Sequence, residues 1–241
     1  MDLIDDKKII LNKGVFMDLI DAIRMRKSIR GFKPDPVPKK VIEEILEIAT
    51  RSPSAMNTQP WEFTIITGKV LEEIVRKNIE KRDTEPPHPD HAVIGWSKDS
   101  IYRRRQVDLA KQIFQVMGIK KEDKDGKKDW GERGFRYFDA PAAIIILVDK
   151  SLTENGPLLD IGAVIQTICL AALNYGLGTC IEDQGVMYPE VLRELAGIPE
   201  SKRIIISIAI GYPDWDFLAN KLESEREPIE NISNWVGFGE E

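Results

Sequence analysis

The segment from Asp160 to Tyr175 places apolar residues on nearly every side of a helix: Ile161, Val164, Ile165, Ile168, Cys169, Leu170 and Leu173. A helix without a wet face must be covered all round. In a chain of 241 residues, a partner subunit can supply part of that cover. Gly176-Leu-Gly178 ends the helix, and Thr179 to Glu182 begins an extended piece. Ala142 to Val148 is a continuous apolar run, the pattern of a strand buried on both faces. Arg203 to Gly211 reads as a central strand, and Trp61 to Thr67 as another β-rich run.

The helical segments alternate irregularly with these strands. The spacing predicts a helix from Met17 to about Lys27, stopped by Gly31 and Pro34. A second helix follows Pro36-Val-Pro38, with Val41, Ile42, Ile45, Leu46, Ile48 and Ala49 apolar at helical spacing. Further helices are expected over 69–81 and 101–117, the latter led by Arg103-Arg-Arg105. Residues 82–98 read as a loop and 118–134 as a charged surface excursion. Such a pattern favours an α+β fold of packed layers. Residues 1–16 read as an N-terminal extension, in which Met1-Asp-Leu-Ile-Asp5 recurs as Met17-Asp-Leu-Ile-Asp21 without a physical account. Residues 17–241 form one domain, with an excursion around 82–137.

Composition narrows the function classes. The formal charge of −6 argues against nucleic acid and acidic membranes as partners. Residues 98–137 are locally basic, with 12 Lys or Arg against 7 Asp or Glu. Two cysteines and two histidines make neither a disulfide framework nor a zinc cluster, and no metal site is expected. His88-Pro-Asp-His91 sits in a Pro-rich loop. No secretory signal and no membrane-length apolar run is visible, so a cytoplasmic location is the expectation.

Few groups are placed for acid–base or nucleophilic work. The sequence lacks a Walker loop, a Rossmann fingerprint and a G-x-S-x-G elbow, and no catalytic side chain is singled out. What it offers is an anion site. Arg26 and Arg30 lie four apart with Ser28 between them, which on a helix puts both guanidinium groups on one face. Arginine forks donate paired hydrogen bonds to oxyanions at any working pH. The alternative is a solvated, Arg-rich helix end. An anion site without dedicated catalytic groups suits a protein that binds a cofactor and lets it do the chemistry.

Arg26-Lys-Ser-Ile-Arg30 resembles the R-x-S-x-R opening of the flavin-dependent nitroreductase family. Ser52-Pro-Ser-Ala-Met-Asn-Thr-Gln-Pro-Trp61 is similar to its second signature, Gly176-Leu-Gly-Thr-Cys180 to its third and Ile210-Gly-Tyr-Pro213 to its fourth. Arg226 resembles the family's C-terminal phosphate-binding arginine. The matches keep the family's order over roughly 17–238, and the middle region looks like the nitrobenzoate-reductase branch.

The resemblance implies a central, mostly antiparallel sheet flanked by helices, an intertwined homodimer and FMN at the subunit interface. It implies that NADH or NADPH reduces FMN, which then reduces a nitroaromatic, quinone or similar small acceptor by a ping-pong sequence. Arg26, Ser28 and Arg226 would hold the phosphate, with Lys27 beside it. Arg30 would face the pyrimidine edge, where a cation stabilises the charge that develops on reduction. Pro53, Ser54 and Met56 would line the flavin from the partner chain, and Asn57 would bond near the ring or ribityl chain. Backbone around Ile181, Glu182 and Asp183 would lie by N5. Glu182 and Asp183 depart from the common family pattern, and acids there would disfavour anionic acceptors unless they point away. Reductive dehalogenation, flavin cleavage and non-catalytic flavin binding remain alternatives. Cys180 reads as a small buried residue and Arg103 to Arg105 as a solvated face. Trp130, Phe135, Tyr137 and Phe138 either roof a pocket or pack in the core.

Overall fold

The computed structural model describes residues 17–91 and 95–239. The expected extension, 1–16, lies outside the described residues. At the centre are strands β1 (Glu62–Thr67), β2 (Ala142–Asp149), β3 (Gly178–Glu182) and β4 (Lys202–Gly211). Their order is β1-β2-β4-β3, and every neighbouring pair is antiparallel. One parallel bridge, Ser28 to Thr179, adds a short stretch of chain beyond β3.

The apolar run of β2 serves two cores, because successive side chains of a strand point to opposite faces. Ala143, Ile145 and Leu147 join a cluster with Leu71, Ile74, Val191 and Leu192. Ala142, Ile144, Ile146 and Val148 join a second cluster with Ile42, Ile45, Val164 and Ile168. The first face is covered by α3 (Gly68–Thr84) and α7 (Pro189–Ala196), the second by α2 (Lys39–Ala49) and α6 (Leu158–Leu173). Each fully buried Ile contributes about 1.5–3 kcal/mol, so β2 supplies a large part of what holds the layers together.

Helix α1 (Leu19–Met25) is shorter than expected. Asp18 caps it by accepting the Ile20 N–H at 2.8 Å. It ends at Met25 because the following backbone is drawn to the sheet edge: Ile29 N–H donates to the Thr179 carbonyl at 2.9 Å, and Ile29 is buried. Tertiary pairing overrides the local helical pattern there. Conversely, α3 runs on to Thr84, three residues beyond the expected end, into the segment read as a loop. Helix α4 (Ile101–Val116) starts at Ser100, whose Oγ accepts the Arg103 N–H at 3.2 Å. The charged excursion contains α5 (Lys124–Glu132), capped by Asp123 on the Gly126 N–H at 2.8 Å.

Helix α6 is covered along one stripe, Ile161, Val164, Ile165, Ile168, Cys169 and Ala172. Its opposite stripe stays open within one chain: Leu159 is 85% exposed, and Gly162 and Gln166 are exposed as well.

Candidate functional site

Arg26, Lys27, Ser28 and Arg30 occupy the extended stretch beside β3, not a helix face. The helical reason for grouping the two arginines therefore fails. In extended backbone, alternate residues share a side, so Arg26, Ser28 and Arg30 remain a set by a two-residue period. All three, and Lys27, are half-buried. Among the described residues no carboxylate makes an ion pair with Arg26, Lys27 or Arg30. Cys180 lies close by, and burial pushes its thiol up to about 12 although Arg30 pulls it down. Burial raises the Cys169 thiol too. Neither is a thiolate at neutral pH, in keeping with the packing role expected of Cys180.

The backbone at Arg30 is clamped on both sides. Its N–H donates to Asn220 Oδ1 at 2.7 Å. Asn220 Nδ2 donates to the carbonyls of Gly31 and Asp214, each at 2.7 Å. Arg133 Nη2 donates to the Arg30 carbonyl at 2.9 Å. Gly31 is pressed so closely on Phe217 that an added Cβ would lie 2.3 Å from its Cγ. Asn220 and Arg133 carried no motif in the sequence. Only their burial, at 0% and 9% exposure, marks them out.

Pro53, Ser54, Met56 and Asn57 lie in the loop between α2 and β1. Ser54 Oγ accepts the Gln59 N–H at 3.0 Å, and Ala55 N–H donates to the Asp160 carboxylate. Ser52 Oγ bonds Thr167 Oγ1 at 2.7 Å. Met56, Asn57 and Gln59 have φ of 51°, 59° and 48°. Non-glycine residues rarely adopt that left-handed region, and it costs about 1–2 kcal/mol each. Met56 is also 97% exposed. A strained backbone that presents a bare thioether to the surface suits a binding loop rather than a core turn.

At the end of β3, Ile181 is partly exposed and Asp183 half-buried, but Glu182 turns inward. Its Oε2 accepts the Gly185 N–H at 2.8 Å, and it is also bonded by the Ser207 hydroxyl. Burial pushes its carboxyl up to about 8, against those hydrogen bonds. The pair of acids expected at this edge is thus a single one, Asp183. Tyr137 is fully buried and donates its hydroxyl to the Gly185 carbonyl at 2.7 Å, and Phe135 and Phe138 belong to the same core. These three aromatics pack rather than roof a pocket.

Arg226 lies on an exposed C-terminal arm. Within one chain its guanidinium bonds the Ser224 carbonyl and hydroxyl and the Glu225 carbonyl. The single chain does not bond it to the Arg26–Arg30 stretch. Its neighbour Glu227 pairs with Arg105 of α4. His88 bonds Glu190 at 2.9 Å, and among the described residues no group of acids, histidines and cysteines is arranged to hold a metal.

The sequence model of the nitroreductase family matches residues 23–212. A nitrobenzene nitroreductase of Ectopseudomonas oleovorans is 30% identical over 218 residues, covering 90% of this chain and 96% of that protein. A chloronitrobenzene nitroreductase of Comamonas testosteroni is 29% identical over 218 residues, with the same coverage. Among solved structures, the FMN and NADPH-dependent nitroreductase NfnB from sphigopyxis sp. strain HMH superposes with a TM-score of 0.87. At 23% identity, with 92% of this chain and 100% of that one covered, that likeness establishes the fold.

Proposed function

The chain belongs to the nitroreductase family, and from that premise we propose that it is an FMN-dependent oxidoreductase. When bound, FMN would supply the redox chemistry, two-electron transfer from NADH or NADPH to a nitroaromatic, quinone or similar acceptor. The observation that carries the reading is the half-buried group of Arg26, Lys27, Ser28 and Arg30, with no carboxylate paired to its cations among the described residues. Part-buried cations are costly unless an anion joins them. A phosphate monoester fits that group, because guanidinium, ammonium and hydroxyl are all donors to its oxygens.

The residues divide the work. Arg26 and Ser28, with Lys27 beside them, hold the phosphate. Arg30 faces the pyrimidine edge, where its fixed charge favours the negative charge of the reduced ring. The backbone of Ile181, Glu182 and Asp183 would lie along the flavin edge, and the buried Glu182 carboxyl keeps that turn in shape by holding the Gly185 N–H. With Glu182 turned inward, the repulsion of anionic acceptors expected there is left to Asp183. No dedicated protein acid is needed, because water reaches an open flavin face.

A second copy of the chain completes the site in this reading. The open stripe of α6 at Leu159, the exposed apolar face of α1 at Leu19, Ile20 and Ile23, and Trp235 and Phe238 on the C-terminal arm are too much apolar surface for a lone chain. A homodimer covers them, brings Pro53, Ser54, Met56 and Asn57 of one copy over the flavin of the other, and gives Arg226 a phosphate to bind. Both cysteines are free thiols, which suits a reducing compartment such as the cytoplasm.

Purified protein tests this directly. The expected result is a yellow protein whose flavin band bleaches with NADH or NADPH and recovers on adding a nitroaromatic or quinone. A colourless preparation that does not take up FMN overturns it.

A further inference from the structure

We propose that Asn220 and Arg133 are positioning residues that set the Arg30 guanidinium against the cofactor, tying the residue 124–139 excursion to the flavin's reduction. The inference rests on the functional reading above, in which Arg30 faces the pyrimidine edge.

Two hydrogen bonds fall on the two peptide groups that flank the Arg30 Cα, and a third on the next peptide along the chain. Asn220 Oδ1 takes the Arg30 N–H, Arg133 takes the Arg30 carbonyl, and Asn220 Nδ2 takes the Gly31 carbonyl. Fixing both peptide planes fixes φ and ψ at Arg30, and with them the direction of its Cα–Cβ bond. A long, flexible side chain loses much entropy when it is placed. A clamp at its root removes part of that cost before any ligand arrives.

The clamp is itself built with unusual care. Arg133 donates to the Asp139 carboxylate at 2.9 Å and stacks on the Phe217 ring at 4.4 Å. Phe217 also closes on Gly31, so ring, guanidinium and glycine form one stack. Tyr137, Phe138 and Asp139 take φ of 51°, 55° and 60° in succession. Three consecutive left-handed residues are costly, and such strain persists where the surroundings over-determine it. Here it lets the chain return so that the Phe138 carbonyl and the Asp139 carboxylate both meet Arg133. A buried asparagine, a buried arginine and a strained turn thus meet at one backbone position, and that position bears the cation assigned to the flavin ring.

The test uses the FMN-loaded full chain and compares Asn220→Ala, Asn220→Asp and Arg133→Lys, each with and without Arg30→Ala. The readouts are the flavin midpoint potential and the FMN dissociation constant. In the Arg30 background, Asn220→Ala removes the acceptor of the Arg30 N–H and the donor to the Gly31 and Asp214 carbonyls, and is expected to move the potential to more negative values and weaken FMN binding at least about tenfold. Asn220→Asp keeps the acceptor for the Arg30 N–H but sets an oxygen against the Gly31 and Asp214 carbonyls, and is expected to move the potential in the same direction. In the Arg30→Ala background, Asn220→Ala is expected to move the potential no further, because the group it positions is gone. Should Asn220→Ala fail to fold, Arg133→Lys keeps charge and stem and tests the same dependence. Equal shifts in both backgrounds, or an Arg30-dependent potential that Asn220→Ala and Arg133→Lys leave unchanged, overturn the positioning role alone. A potential and FMN affinity indifferent to Arg30→Ala overturn the role assigned to Arg30, and this inference with it.

Discussion

The Asp160 carboxylate, in the first turn of α6, accepts the backbone N–H of Ala55 through both oxygens, at 3.3 and 3.2 Å. It is only 9% exposed, and it ties the strained Met56–Asn57 turn to the helix that runs beneath it. Removing the acceptor breaks a part-buried hydrogen bond, at a cost of about 0.5–1.5 kcal/mol. Asp160→Ala is therefore expected to lower stability by that amount in urea denaturation and to weaken FMN binding in a fluorescence titration. Asp160→Asn keeps one acceptor oxygen and is expected to lose less. Unchanged FMN affinity in a destabilised Asp160→Ala chain would separate the loop from the cofactor.

Glu182 predicts how stability follows pH. Burial lifts its carboxyl to about 8, above the ordinary 4.5. Between those values the folded chain keeps a proton that the unfolded chain gives up. Stability from this group is thus complete below about pH 4.5, falls as pH rises through the window, and is fully lost above about 8. Glu182→Gln removes that slope and keeps an acceptor for the Gly185 N–H. The variant should gain on the parent with rising pH, by on the order of a few kcal/mol at the alkaline end. Parallel denaturation curves for both proteins from pH 5 to about 9 would rule the effect out.

Gly31 is a matter of space. An alanine there meets Phe217 Cγ at 2.3 Å and Phe217 Cβ at 2.6 Å. Overpacking of this kind costs about 1–3 kcal/mol, and the shift would be felt first at Arg30 and Arg133. Gly31→Ala is expected to lower the melting temperature and to weaken FMN binding together. A variant with the parental melting temperature would mean that the Phe217 ring yields freely.

Leu159 tests the proposed dimer without disturbing either core. At 85% exposure its side chain contributes little within one chain. Leu159→Glu is expected to leave circular dichroism unchanged and to shift sedimentation toward monomer, with loss of bound FMN. Dimeric, flavin-loaded Leu159→Glu would move the interface away from α6.

The sheet was legible because its signal is local. The unbroken apolar run at 142–148 and the strand at 203–211 announce burial on both faces, and β2 and β4 are the central strands. Helix α2 was plain from its period and the Pro36-Val-Pro38 before it, and α4 from its amphipathic pattern. Helix α1 was misjudged at its end, because what stops it is Thr179, about 150 residues away in sequence. The proposed anion group was assembled for the wrong geometric reason, since Arg26 and Arg30 are matched by strand period and not by helix period. Glu182 looked like a flavin-edge acid, and only the Ser207 hydroxyl and the Gly185 N–H, contributed by the folded sheet and turn, draw it inward.

By itself, the sequence determined the layered α+β class and the two-faced central strand, and it singled out the residues proposed for an anion, because periodicity, charge and short motifs are written in neighbouring positions. Tertiary structure alone decided which way Glu182 points, where α1 gives way to the sheet edge, and that Asn220, Arg133 and Asp160 hold the backbone of the proposed cofactor residues. Those decisions rest on hydrogen bonds made mostly between groups distant in the chain, formed only once burial excludes water and leaves each polar atom the partners that the fold supplies.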